Sequence, residues 1–266
     1  MVSLPPMNRI IITLVALALL SACTTKDERR ASIKRPIIDL KLKTTPVKDQ
    51  GRSSLCWVFG MLATIETEHL MQGDSVNLSV AYVARMALRQ RMQDAYLSRG
   101  TRPQHLRGMA SNALALIAQH GLLAYDTYHV ENNSIFASLV NKTYNLCRVT
   151  MAHREGLARL HERFNDLMDN AIGSLPKTQY LYGAGYTFGE FGRSVCRKDE
   201  YVALTSFTHH PFNSAFVLEV NDNVNRDYFY NLPIDTLVAI TERSLKAGHP
   251  VCWEGDTSEE GFDFVE

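Results

Sequence analysis

The stretch that most constrains this chain runs from Ser54 to Met71, SLCWVFGMLATIETEHLM. It contains no proline and one glycine, Gly60, and Val58, Leu62, Ile65 and Leu70 recur at helical spacing. The spacing predicts one buried helix that ends before Gly73. The residues ahead of it, Thr44 to Gly51, read as extended or turn-like, because Pro46 biases Thr45 away from helix.

A buried helix needs other elements around it. Ser79 is a good N-cap for a second helix, with Val80, Val83 and Ala87 as its apolar stripe. Met109 to His120 predicts a third, with Ala113, Leu116 and Ile117 inward and Gly121 as its stop. Leu157, Leu160, Phe164, Leu167, Met168 and Ala171 trace the clearest amphipathic helix. After Pro176 the character changes. Tyr180 to Gly192, rich in glycine and aromatics, reads as loop, whereas Tyr201 to Phe207 and Ala215 to Val220 read as strands. Ile234 to Ala247 returns to helix and stops at Gly248, and Pro250 to Trp253 begins another strand. Helices first and strands later is an α+β order.

The 266 residues are 45% hydrophobic and 21% charged, enough to enclose a sizeable core. Lys plus Arg and Asp plus Glu are both 28, which argues against nucleic acid as a partner, since such binders carry a basic excess. Five cysteines are too few for a disulfide scaffold, and no CxxC or HExxH occurs. His69 and His120 read as capping or polar-contact residues, not metal ligands. Cys147, Cys196 and Cys252 could pair in an oxidising compartment, but the preferred reading leaves them unpaired and mostly buried.

The amino end reads as an address. Ile10 to Leu20, IIITLVALALL, is too short to span a bilayer and follows Arg9, as a signal-peptide core does. Met7 is a plausible true start. The run ends in Leu20-Ser21-Ala22-Cys23, which resembles the bacterial lipobox. That resemblance implies a signal peptide over 1–22 and lipid on Cys23. A polar tether over 23–43 would then hold the body to an envelope membrane, the outer membrane or cell surface before the inner one.

The chemistry sits in Thr45 to Glu68. A nucleophilic cysteine works as thiolate, and a helix N-terminus favours that form. Cys56 stands at the start of the expected buried helix, and Trp57 beside it can fix the helix end by packing. Gln50, six residues earlier on the incoming loop, can donate to a tetrahedral oxyanion alongside the Cys56 backbone N–H.

This pattern resembles the papain-like cysteine peptidases, whose signature is an oxyanion-hole Gln, a Gly, and then Cys-Trp-x-Phe opening the central helix. Gln50, Gly51, Cys56, Trp57 and Phe59 match it, and Pro46-Val47-Lys48-Asp49 is similar to the approach to that Gln. Where the secreted papain branch carries an extra Cys, this chain has Ser53, and Leu55 stands where a small residue is usual, which would narrow the cleft beside Cys56. The bleomycin hydrolase and aminopeptidase C branch lacks that extra Cys. Other stretches resemble it: Asn77 to Val83, Gly108 to Tyr128, Ser206 to Asn223, Tyr230 to Asp235 and Lys246 to Trp253.

The resemblance implies a papain-like domain over 44–266, with the helical lobe nearly complete and the β lobe truncated. It implies amide hydrolysis through an acyl-thioester on Cys56, with Gln50 in the oxyanion hole. A peptide or protein would be the substrate, and no cofactor or metal would be needed. Exo- or endopeptidase action and oligomeric state stay open.

Such a site also needs a histidine base and an asparagine to orient it. Papain-type sequences place them about 130 to 150 residues past the cysteine. His209 and His210 fall just past that window, and Asn213 or Asn221 follow. In the resembling branch, however, this stretch precedes the late helix, and the catalytic histidine comes after the part that Cys252 to Asp256 is similar to. The branch's Asn opens an Asn-Ser-Trp motif, and neither Trp57 nor Trp253 stands in one. The expectation is a chain that stops before its His and Asn strands. The rival expectation is a non-catalytic envelope lipoprotein that binds peptides or a protein partner through a degenerate papain-like lobe.

Overall fold

A computed structural model describes residues 37–102, 104–181 and 183–256. The expected signal segment, Cys23 and most of the expected tether lie outside the described residues. The chain divides at Lys41, and everything below concerns the compact unit that begins at Leu42.

Among the described residues, seven helices and five short strands follow in the order α1 (Cys56–Met71), α2 (Val80–Leu97), α3 (Ala110–His120), α4 (Ile135–Ala152), α5 (Leu157–Ile172), β1 (Gln179–Leu181), β2 (Ala184–Tyr186), α6 (Phe188–Val195), β3 (Leu204–Thr205), β4 (Ser214–Val217), β5 (Tyr228–Asn231) and α7 (Ile234–Lys246). The expected α+β order is what the chain adopts. No helix among the described residues is long and apolar enough to cross a membrane.

Helix α1 is enclosed on nearly every side: Trp57, Val58, Met61, Leu62, Ile65 and also Thr64, Glu66, Thr67 and Glu68 are buried. Buried carboxylates must find partners. Glu66 accepts from Thr45 Oγ1 (2.6 Å), Lys48 Nζ (2.5 Å) and the Leu78 backbone N–H (2.7 Å). Glu68 accepts from Gln72 Nε2 (2.8 Å) and faces His249 Nδ1 (2.9 Å). A purely apolar reading of this helix therefore missed how its acids staple neighbouring segments to it.

Around α1, the helix α2 packs against α3, α4 and α5. Ser79 caps α2 as expected, accepting from the Tyr82 N–H (3.0 Å). Arg85, fully buried in α2, donates to Asp169 Oδ1 (2.8 Å), Tyr128 OH (3.1 Å) and the Gly173 carbonyl (3.1 Å), tying α2 to the end of α5. Leu160, Phe164 and Met168 form the buried stripe of α5. Helix α4, which periodicity did not single out, buries Phe136, Leu139 and Cys147 in the same core.

The region read as loop, Tyr180 to Gly192, is a β1–β2 hairpin running into α6. Thr187 caps α6 and shares a capping box with Glu190, while Phe191 and Val195 are buried. That cap was a sequence signal that glycine content hid. Gly121 closes α3 with φ +78°, and a Cβ there would lie 2.1 Å from the Phe188 carbonyl oxygen, so α3 and α6 meet backbone to backbone.

The expected strands are shorter than their sequence runs. A mixed sheet forms in the order β3-β5-β4, with β3 parallel and β4 antiparallel to β5. Its centre, β5, was not foreseen, and Pro250 to Trp253 has no regular structure. Asn231 shapes the connection between β3 and β4. Fully buried, its side-chain amide donates to the carbonyls of Phe207 (2.9 Å), His210 (3.0 Å) and Pro211 (3.2 Å) and accepts from the Phe207 N–H (2.8 Å). One polar side chain on β5 thus holds the loop between the two outer strands, where the sequence runs leave a gap after Phe207.

Candidate active site

Cys56 is exposed at the first turn of α1. The N-cap residue is Leu55, which offers no side-chain acceptor, and no acidic residue occupies the first turn. Val58 and Phe59 donate to the Leu55 carbonyl, whereas no hydrogen bond among the described residues uses the Cys56 N–H. The helix therefore presents free donors beside the sulfur, with no carboxylate of its own first turn to offset its dipole. Leu55 itself is fully buried in the core, so it anchors the helix start and does not narrow the cleft as expected. Trp57, 3% exposed, fixes the same end: its Nε1 donates to the Ser54 carbonyl (3.2 Å) and the Leu106 carbonyl (2.7 Å).

Gln50 sits on a braced turn. Asp49 Oδ1 accepts from the Gly51 N–H (2.7 Å), and Ser53 Oγ donates to the Gln50 carbonyl (2.6 Å). Ser53 thus holds with a hydrogen bond the place where the secreted branch has a cysteine. From outside the turn, Asn133 Nδ2 donates to the Asp49 carbonyl (2.8 Å) and Ser134 Oγ accepts from the Arg52 N–H (2.9 Å). Gly51 has φ +57°, and a Cβ there would fall 2.3 Å from Ser134 Oγ, so both conformation and space demand glycine. The Gln50 Oε1 is enclosed without a partner, and no hydrogen bond among the described residues uses its Nε2. A side-chain amide with unengaged donors on a fixed loop is what an oxyanion contact requires.

His209 and His210 lie against aromatic neighbours. His210 stacks on Phe216 with ring centroids 3.9 Å apart, His209 meets Phe207 edge-on at 5.2 Å, and Asn231 holds their loop. Asn213 donates its N–H to the Asn231 carbonyl (2.7 Å). Among the described residues, no hydrogen bond or ion pair joins His209, His210, Asn213 or Asn221 to Cys56. His69 Nδ1 faces Asp74 Oδ2 (3.0 Å) and its Nε2 faces the Val195 carbonyl (2.9 Å), polar contacts as expected. Burial, and secondarily Arg89, holds His120 below the ordinary histidine range.

Cys147, Cys196 and Cys252 are free thiols. Burial pushes Cys196 up to about 12 and Cys252 up to about 11. They are poor nucleophiles, in contrast to exposed Cys56. Among the described residues no cluster of three or more His, Cys, Asp or Glu could hold a metal ion.

Sequence reasoning missed Arg107. The Trp57–Leu106 bond lays residues 106–108 along Trp57, and a Cβ on Gly108 would come within 2.9 Å of that ring. Arg107 projects from this strip and donates through Nε (3.2 Å) and Nη2 (2.9 Å) to Asp222 Oδ2. The Asp222 hydrogen bond, and less strongly the Cys56 sulfur and Asp256, hold its proton above the usual arginine range. The strip that carries Arg107 is hydrogen-bonded to Trp57, the chain neighbour of Cys56, and only this long-range contact reveals it.

No family model matches the chain, and no curated protein matches it. Among solved structures, 31 chains match. One is PepW from Lactobacillus rhamnosis HN001, whose crystal structure was determined as the selenomethionine derivative. Its TM-score is 0.62 at 17% sequence identity, and the alignment covers 94% of this chain and 70% of that one. This likeness shows that the chain shares the fold of PepW, and the fold alone.

Proposed function

We propose that the chain is a papain-like cysteine peptidase of the bleomycin hydrolase type, tethered to an envelope membrane through lipid on Cys23. The observation that carries the catalytic part is Cys56, exposed at an uncapped helix start whose N–H is unengaged. The Cys56 sulfur attacks a peptide carbonyl carbon and an S–C bond forms. The displaced π pair becomes an oxyanion that takes hydrogen bonds from the Cys56 N–H and Gln50 Nε2. Collapse breaks the C–N bond and expels the amine, which carries off the proton that the Cys56 thiol gave up; water then cleaves the S–C bond, releasing the acid and returning a proton to the sulfur. We assign the general base to no described residue.

An epoxide inhibitor of papain-like enzymes tests this. Labelling of the parent and none of Cys56→Ala is expected; a parent as inert as the variant would sink the peptidase reading. That second outcome would favour a peptide-binding lobe without catalysis, for which the specific observation is that His210 stacks on Phe216, His209 meets Phe207 edge-on, and no hydrogen bond among the described residues joins either to Cys56. The tether is tested separately: Cys23→Ala should move the protein from the membrane to the soluble fraction, and continued membrane fractionation would overturn it.

A further inference from the structure

The strip that lies on Trp57 carries one feature the proposed chemistry does not use. Arg107 is held on one edge: Nε and Nη2 both donate to a single oxygen of Asp222. Its side chain is 67% exposed, and no hydrogen bond among the described residues uses Nη1. Asp222 is not itself free to swing, because the following turn is braced. Asn223, buried, donates to the carbonyls of Leu218 (2.9 Å) and Asp227 (2.9 Å) and accepts from the Asp227 N–H (2.8 Å). Asn112 Nδ2 in turn donates to Asp227 Oδ2 (3.2 Å), docking that turn on α3. A guanidinium clamped by one edge, with the other edge turned to solvent on a strip bonded to the neighbour of Cys56, is a fixed pair of donors.

The charge around it selects the acceptor. Arg107 is neutralised by Asp222. The pair is close, with Nη2 2.9 Å from Asp222 Oδ2, so the guanidinium holds no surplus positive charge for a carboxylate. A neutral oxygen with strong acceptor character fits, and along an extended peptide that group is the backbone carbonyl.

We infer that Arg107 is a substrate-binding residue whose free guanidinium edge, positioned by Asp222, hydrogen-bonds a backbone carbonyl of the peptide bound at Cys56. This rests on the peptidase reading of the same site, and the experiment separates the two. The full chain is inactivated with benzyloxycarbonyl-Phe-Ala chloromethyl ketone, attachment to Cys56 is read by peptide mass spectrometry, and iodoacetamide reports thiol reactivity without peptide binding. In the parent, inactivation saturates with probe concentration. In Arg107→Ala the half-saturating concentration rises about tenfold, the size expected for one charged hydrogen bond. The maximal rate changes only as the iodoacetamide rate does.

Asp222→Asn, which keeps the guanidinium but releases it, gives a smaller rise. Equal half-saturation in parent and Arg107→Ala overturns the role of Arg107 while leaving the peptidase reading intact. A parent that does not saturate overturns that reading, and this inference with it. Tighter binding of a probe with Glu in place of Phe, lost in Arg107→Ala, would overturn the carbonyl assignment in favour of a carboxylate.

Discussion

Lys48 on the incoming loop and Glu66 in the middle of α1 form an ion pair at 2.5 Å, and Glu66 is 1% exposed. The pair joins the segment that carries Gln50 to the helix that carries Cys56, with Thr45 and the Leu78 N–H sharing the same carboxylate. Removing one partner of a buried pair leaves the other uncompensated, at a cost of about 3 kcal/mol or more. Glu66→Ala should lose stability on that scale in urea unfolding and speed hydrogen exchange in residues 45–51. Glu66→Gln, which keeps acceptors for Thr45 and Leu78, should lose less. A Glu66→Ala protein with parental stability and exchange would show that the pair holds nothing.

Gly121 is the second sensitive point. A side chain there meets both the positive φ and the Phe188 carbonyl at 2.1 Å. Gly121→Ala should destabilise by at least ~2 kcal/mol, through backbone strain and the separation of α3 from α6. The Gly73→Ala control has positive φ but open space, and should cost only about 1 kcal/mol. Equal costs in urea unfolding for the two variants would remove the close approach as a cause.

The thiols should react in a fixed order. With native protein at pH 8, iodoacetamide should modify Cys56 first, at least ~100-fold faster than Cys196 or Cys252, because Cys196 is buried, Cys252 is half-buried, and both are almost wholly protonated. Peptide mapping over a time course reads this directly. Modification of Cys196 at the rate of Cys56 would contradict the burial.

Alkaline pH should unfold the chain. Cys196 is raised to about 12 and Cys252 to about 11 by burial, and Tyr82 to about 12 by burial against the opposing fields of Arg89 and Arg85. In each case the folded state holds its proton more tightly than the unfolded state. The stability this confers is complete below the unfolded values, near 9 for the thiols and 10 for tyrosine. It is lost as pH rises from there through the folded values, because the unfolded chain binds fewer protons. The urea midpoint should therefore fall steadily between pH 9 and pH 12, and Cys196→Ala should flatten that fall. A midpoint independent of pH over this window would contradict the assignment.

The helices were legible wherever their signals are local. The Ser79 cap, the Gly121 and Gly248 stops and the stripe of α5 each depend on residues within a turn or two, and the structure repeats them. Helix α4 was not singled out, because its apolar residues are spread around the helix and few of them are buried. The hairpin and α6 were hidden because glycines and aromatics were weighted above the Thr187–Glu190 capping box. At the site, the sequence pattern supplied Gln50 and Cys56 as the residues to examine, since both belong to one short motif.

By itself the sequence determined that a long helix opens with Cys56, that a turn containing Gln50 precedes it, and that helices come before strands. Those features rest on side-chain spacing, caps and glycine conformation, which act over a few residues. Only the tertiary structure decided that Glu66 turns a helix interior into an anchor for the Gln50 loop, and that Asn231 holds the loop bearing His209 and His210. It also decided that the strip bearing Arg107 is tied to Trp57, the neighbour of Cys56, by a hydrogen bond spanning 49 residues of sequence. Buried polar groups must be satisfied, and their partners come from whatever distant segment the packing brings within 3 Å, which no local pattern records.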